Sequence, residues 1–174
     1  PVVAHASGMY GSEWRTDLGL LNAGARQANV ELLFHGPGGT VKGTTYVPAG
    51  AQSILVDVVG QLPASGHGAL EVIADQPLVV TARSYSQAPK DDPCAPGGTN
   101  GMSYPVLAAG DGLAQGQTAW LPHLVESPAH RTNIGLVNTG TGAAEATVEL
   151  IDGAGGLLAS YAVSLAPGQW QQEN

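Results

Sequence analysis

Charge is scarce in this sequence. Only 11% of the 174 residues are Asp, Glu, Lys or Arg, and just six are Lys or Arg against 14 acidic residues. The net charge is −8. Six scattered cations cannot build a patch that tracks a phosphate backbone, which argues against a nucleic-acid partner. The same deficit argues against an anionic membrane surface. Cys94 is the one cysteine, so no disulfide can close within the chain. It stands in Asp91-Asp92-Pro93-Cys94-Ala95-Pro96, which reads as an exposed loop. An incidental thiol is favoured there over one that pairs between chains. No apolar run reaches membrane-spanning length, so no membrane insertion is expected. The sequence shows no signal peptide and opens at Pro1 in a strand-like stretch, as a processed or trimmed chain would. No segment keeps a helical period over ten residues.

What is abundant points one way. There are 25 Gly and 12 Pro, and 43% of the residues are hydrophobic. Ample apolar material with many turn formers and few Glu, Lys or Arg reads as an all-β protein with tight turns, not as disorder.

The chain also repeats itself. Arg15-Thr16-Asp17-Leu18-Gly19-Leu20-Leu21-Asn22-Ala23-Gly24 returns as Arg131-Thr132-Asn133-Ile134-Gly135-Leu136-Val137-Asn138-Thr139-Gly140. The match extends both ways with a small gap. His5 falls over His123 and Gly50 over Gly168, an offset of 118 in each case. Between them, Val30-Glu31-Leu32-Leu33 falls over Val148-Glu149-Leu150-Ile151, and Val47-Pro48-Ala49-Gly50 over Leu165-Ala166-Pro167-Gly168. Residues 1–56 therefore recur as 119–174, and 57–118 have no second copy. The expected organisation is a first β-sandwich unit at 1–86, a Gly/Pro-rich linker at 87–117 and a partial second unit at 118–174. A half unit leaves strand faces and edges unpaired. Three resolutions follow: the chain is part of a longer protein (the leading expectation), the half unit rests on the complete one, or a neighbouring molecule completes it by strand addition.

Strands are expected where apolar residues alternate between turn signals. These are residues 1–6, 17–22, 30–34, 44–47 and 53–59, the last with Ile54, Val56 and Val58 on one buried face. Residues 69–73 and 78–85 read as a hairpin across Ala74-Asp75-Gln76-Pro77. In the linker, Tyr104 and Leu107 are the expected anchors.

Residues that could carry chemistry are few. Arg15 and Arg131 recur, and recurrence favours a scaffold role in which each guanidinium holds backbone carbonyls or a carboxylate. Asn22 and Asn138 recur as turn formers. His5, His35, His67, His123 and His130 show no zinc-ligand spacing. Asp91-Asp92 and Asp111-Gly112 match no calcium-loop pattern, so Ca²⁺ is only a weak candidate and no cofactor is expected. Ser65-Gly66-His67 lacks an identifiable acid partner, and there is no G-x-S-x-G elbow. Tyr10, Trp14 and Trp120 could form a sugar-stacking platform, against the plainer reading of Trp as core.

The pattern R-T-D/N-x-G-L-x-N, a V-E-L strand, a Gly-Gly turn, V-P-A-G and later G-A-L-E-V…D-Q-P-L-V-V-T-A-R-S-Y resembles an immunoglobulin-like β-sandwich repeat. Such repeats occur in tandem in secreted and cell-surface bacterial proteins and have no known activity. The resemblance implies an all-β fold of one complete unit plus a partial second copy, outside the cell or on its surface. The expected function is a non-enzymatic structural or adhesive module, such as a filament or appendage subunit joined through strand edges. Its partners would be further copies or neighbouring domains of a longer chain. The alternative is a carbohydrate-binding module accessory to a secreted hydrolase, with a polysaccharide as partner.

Overall fold

The computed structural model describes residues 1–8, 11–88, 90, 96–104, 106–108, 110–128 and 132–173. Twelve strands and one short helix are seen among them. The first unit holds β1 (Val2–Ser7), β2 (Glu13–Leu21), β3 (Ala28–Gly36), β4 (Gly39–Val47), β5 (Gln52–Leu55), α1 (Val58–Gln61), β6 (Gly66–Ala74), β7 (Val79–Gln87) and β8 (Thr99–Tyr104). The second copy holds β9 (Ile134–Val137), β10 (Ala144–Ile151), β11 (Leu157–Leu165) and β12 (Trp170–Glu173).

The fold is all-β and sandwich-like. The first unit's strands run in the order β4-β3-β6-β1-β2-β7-β8, with β5 beside β2. Every pairing is antiparallel. Strand β1 joins two layers. Its residues Val2 to His5 pair with Ala69 to Gly66 of β6, and His5 to Ser7 pair with Arg15 to Glu13 of β2. Strand β2 can therefore serve β1 with its first half and β5 with its second half on one edge, while β7 runs along the other.

Alternation decides what is buried. Val30, Leu32 and Phe34 of β3, Val47 of β4 and Leu70 of β6 meet Leu18 and Leu20 of β2 and Ala82 of β7. Val58, Val59 and Leu62, in and just after α1, fill the end of this core. A buried hydroxyl pair crosses it, with Thr16 Oγ1 2.7 Å from Ser84 Oγ and accepting the Ala4 N–H at 2.8 Å. Gly68 of β6 precedes Ala69, whose pair with His35 ends the β3–β6 ladder. A Cβ at Gly68 would fall on the His35 carbonyl oxygen and stand 2.9 Å from Phe34 Cε2.

The structure departs from the sequence reading in four places. The strand expected at 53–59 ends at Leu55, and Ile54 and Val56 point to solvent. Asp57 takes a left-handed conformation, φ +50°, and its carboxylate accepts the Gly60 N–H, which starts α1. The segments 69–73 and 78–85 do not form a hairpin. Strand β6 pairs with β1 and β3, whereas β7 pairs with β2 and β8, so residues 75–78 carry the chain from one layer to the other. Strand β8 lies inside the stretch read as a linker and extends the sheet beside β7. Tyr104 is half-buried there and Leu107 is exposed.

The fourth difference is one of register. Ala28 faces Val47 in the first unit and Ala144 faces Leu165 in the second. Counting along both ladders puts Val148 over Leu32 and Leu150 over Phe34, two residues away from the sequence alignment. The extra residues lie in the β10–β11 loop, where a bulge also follows Leu150. A shift of two leaves every side chain on its own face, so the apolar pattern cannot register it.

Candidate functional site

The recurring motif builds a clamp around a buried asparagine. In the first unit the Asn22 side-chain amide donates to the carbonyls of Arg26 at 2.7 Å and Val47 at 3.0 Å, and its Oδ1 accepts the Gly24 N–H at 3.0 Å. In the second, Asn138 donates to Gly142 at 2.8 Å and Leu165 at 3.0 Å and accepts from Gly140 at 2.9 Å. The main-chain N–H of each asparagine also reaches an equivalent carbonyl, Ala51 at 2.9 Å and Gln169 at 3.0 Å. Asn suits this place because its amide offers two donors and its carbonyl an acceptor. The clamp fastens the turn after one strand to the end of another two strands later. Thr132 does not repeat the bond of Thr16 to the Ala4 N–H: its Oγ1 accepts the Val125 N–H at 3.2 Å and donates to the Val125 carbonyl at 2.9 Å, and Val125 falls over Ser7.

Around these matching clamps the two units differ. In the first, β3 has β4 on one side and β6 on the other, and β2 has β5 and β1 on one edge and β7 on the other. In the second, among the described residues, β10 has only β11 and β9 has only β12. Leu18 and Leu20 are fully buried, whereas their counterparts Ile134 and Leu136 are half-buried. Residues 119–126, over β1, form no ladder, and Trp120 is 75% exposed. Strand β1 is held between β6 and β2, and among the described residues the second copy has no strand in the place of β6.

The second copy touches the first at one end. A Cβ at Gly168 would stand 3.2 Å from Thr40 Oγ1 and 3.4 Å from His35 Nδ1. Strand β12 lies near β6. Trp170 of β12 is buried and lies over Gly135, and its indole N–H has no partner among the described residues. His35 is buried and stands 3.0 Å from Thr40 Oγ1 through Nδ1 and 3.2 Å from Glu71 through Nε2.

A polar cleft of about 320 Å³ opens beside β1, lined by His5, Ser7, Glu13, Arg15, Ser65 and Gly66. Asp57 brings its Oδ2 2.8 Å from His5 Nδ1 and 3.6 Å from Arg15 Nε. Arg15 also donates to the Trp14 carbonyl at 2.7 Å and reaches Glu13 at 3.3 Å. Ser7 Oγ donates to Glu13 Oε1 at 2.7 Å, and that bond is the main reason the Glu13 carboxyl is held below its ordinary pKa. The Asp57 N–H donates to Asp17, which also accepts from the Tyr85 hydroxyl at 3.3 Å. Burial, followed by the Asp17 charge, raises the Tyr85 pKa. This network ties β1, β2, β7 and α1 together. Asp57 was not legible as its centre, because Asp57-Val58-Val59 continues an apparent strand alternation.

Of the residues proposed for sugar stacking, Trp14 and Trp120 are exposed and Tyr10 lies outside the described residues. Trp14 Nε1 donates to Ser12 Oγ at 3.1 Å. Arg131, His130, Cys94, Asp91 and Asp92 also lie outside the described residues. Asp111 accepts the Ala108 N–H at 3.1 Å. Among the described residues no three His, Cys, Asp or Glu converge as metal ligands, and no helix is long and apolar enough to cross a membrane. No protein-family model matches the chain, and comparison with curated proteins and with solved structures gives no match either.

Asp75 gives a pH dependence that can be measured. Its carboxylate accepts the Asn29 N–H at 2.8 Å and the Asn29 side-chain amide at 2.7 Å, fastening the end of β6 to the start of β3. The backbone bond, then the side-chain bond, hold its pKa below the ordinary aspartate value. A depressed folded pKa gives stability that is present above the unfolded pKa and is lost as pH falls through the folded one. Urea midpoints should therefore decline on acidification through and below the ordinary carboxylate range. Asp75→Asn should flatten that decline, and an identical acid profile in the variant would contradict this role.

Proposed function

We propose that this chain is a non-enzymatic structural module that joins further copies of its own kind of unit. The observation that carries this reading is the second copy's open strand edges. Among the described residues, strands β10 and β9 each lack the neighbour that β3 and β2 possess. Unpaired N–H and C=O groups along a strand are a template for another chain. The half-buried Ile134, Leu136, Val148 and Leu150 gain from being covered, at roughly 25 cal/mol per Å² of apolar surface removed from water. The recurring asparagine clamp supports the same reading, since a module built to be repeated repeats its scaffold. The low Lys and Arg content fits a setting outside the cell, and adhesive or filament assembly is the form that strand-edge joining would take there.

Light scattering across a concentration series tests the proposal. The weight-average mass should climb above the 17.6 kDa of one chain as concentration rises. A mass fixed at one chain up to millimolar concentration would overturn it.

A further inference from the structure

Besides the approach of β12 to β6, one turn of the second copy meets one hairpin end of the first. The turn is Ala166 to Gln169, with Gly168 at φ +69°. The hairpin end is His35 and Thr40, which face each other across β3 and β4. Each half of this contact has a counterpart elsewhere in the chain, because each belongs to the repeat.

The counterpart of the turn is Pro48 to Ala51 in the first unit. Gly50 takes φ +66°, the same left-handed conformation. Pro48, Ala49 and Gly50 are exposed. Beside this turn β5 presents Ile54, 61% exposed, followed by Val56. In the repeat, β5 is the counterpart of β12, the strand that lies near β6.

The counterpart of the hairpin end follows from the ladder register. His35 is seven residues beyond Ala28, and Ile151 is seven beyond Ala144. Thr40 is seven residues before Val47, and Leu158 is seven before Leu165. By count Ile151 and Leu158 stand at the positions of His35 and Thr40, and the bulge after Leu150 sets Leu157 opposite Ile151, with Leu158 beside it. At the first unit's hairpin end the second copy's turn lies against it, with His35 buried and Thr40 exposed. The second unit's hairpin end is uncovered, and Leu158 is 70% exposed with Leu157 and Ile151 exposed beside it.

We propose that copies of this chain associate head to tail, with the Pro48–Ala51 turn and β5 of one copy seated on the Ile151–Leu158 hairpin end of another. The occupant is fixed by the contact already made within the chain, since repeating that contact brings this turn to this hairpin. The chemistry also agrees. The acceptor inside the chain is the buried His35 beside the exposed Thr40, whereas the free acceptor is Ile and Leu, matching the Ile54 and Val56 that would arrive with the turn. Exposed apolar clusters of this kind mark interaction surfaces. The contact is heterologous, using two different patches, so each chain keeps one free patch of each kind and growth continues until a ring closes. This proposal rests on the reading that the chain self-associates, and it adds to the open strand edges a joint at a turn and a hairpin end.

The test uses Leu158→Glu and Ile54→Glu, both at exposed positions that leave the core intact, with far-UV circular dichroism to check folding. Either charge should weaken association of the full chain about tenfold or more, because an unpaired carboxylate would be buried in the joint. Each variant alone should stay at the mass of one chain where the unaltered chain is oligomeric. An equimolar mixture of the two should give dimers and nothing larger, since one good turn and one good hairpin end then remain per pair. A mixture that stays monomeric would overturn the proposal. So would Leu158→Glu assembling like the unaltered chain. If that assembly is accompanied by protection of the β10 amides from exchange, strand-edge joining survives while the head-to-tail joint fails. An unaltered chain that never associates would remove both.

Discussion

Replacing Asn22 by Ala should lower the stability of the first unit by about 3 kcal/mol. The substitution removes two donors from the carbonyls of Arg26 and Val47 and the acceptor of the Gly24 N–H. Asn22 is fully buried, so water does not reach these groups freely. A buried polar group left without its partner costs about 1–3 kcal/mol, and at least two are left here. Asn22→Asp separates the parts of the clamp. It keeps an acceptor for Gly24 but turns a donor toward two carbonyls into a charged oxygen, so it should be no milder than Ala. Asn138→Ala removes the same bonds from a looser unit, where water can replace more of them, and should cost about half as much. Denaturant unfolding of the three variants measures this order. Equal and small losses at all three would mean that the clamp contributes little.

Gly68→Ala should destabilise the first unit by about 3 kcal/mol or more. A Cβ at position 68 would collide with the His35 carbonyl oxygen and come within 3.0 Å of the Gly36 Cα. These are backbone atoms of the neighbouring strand, so no rotamer change relieves the collision. The β3–β6 ladder would have to part between His35–Ala69 and its β1 neighbour Val3–Gly68. Overpacking a well-filled core typically costs 1–3 kcal/mol, and a collision with main chain lies at the upper end. The loss should appear as a lower thermal midpoint together with weaker near-UV signals. A variant with unchanged melting would show that β3 and β6 can separate at this point without cost.

The parts of this architecture that depend on near neighbours in sequence were legible. The alternation of Val30, Leu32 and Phe34 announced β3, and the repeated Asn-x-Gly announced the turn after each strand, though not the bonds of Asn22 to Val47 and of Asn138 to Leu165. What depends on distant partners was not legible. Residues 75–78 fit a hairpin loop as well as they fit a crossing between layers, and only the pairing of β6 with β1 and β3 distinguishes the two. Ile54, Val56 and Val58 alternate as a strand does, yet the left-handed Asp57 turns Val58 inward and leaves the other two outside. Strand β8 has little apolar content. It joins the sheet by ladder bonds to β7 and by the close approach that Gly101 allows to Tyr85. The exposed Ile151 and Leu158 look like core residues in the sequence. Only counting along the strands from Ala144 and Leu165 shows that they stand at the end of the hairpin, where the first unit meets the second copy's turn.

That contrast between a closed first unit and an open second one can be measured directly by amide hydrogen exchange on dilute protein. Exchange protection follows the local free energy of opening, which falls where apolar contacts are few and strand edges are free. With the second unit open, amides of β10 and β11 should exchange about a hundredfold faster than those of β3 and β6, and they should gain protection as concentration rises. Equal protection of both sets in the most dilute sample would contradict this, because the second copy would then be complete without a partner.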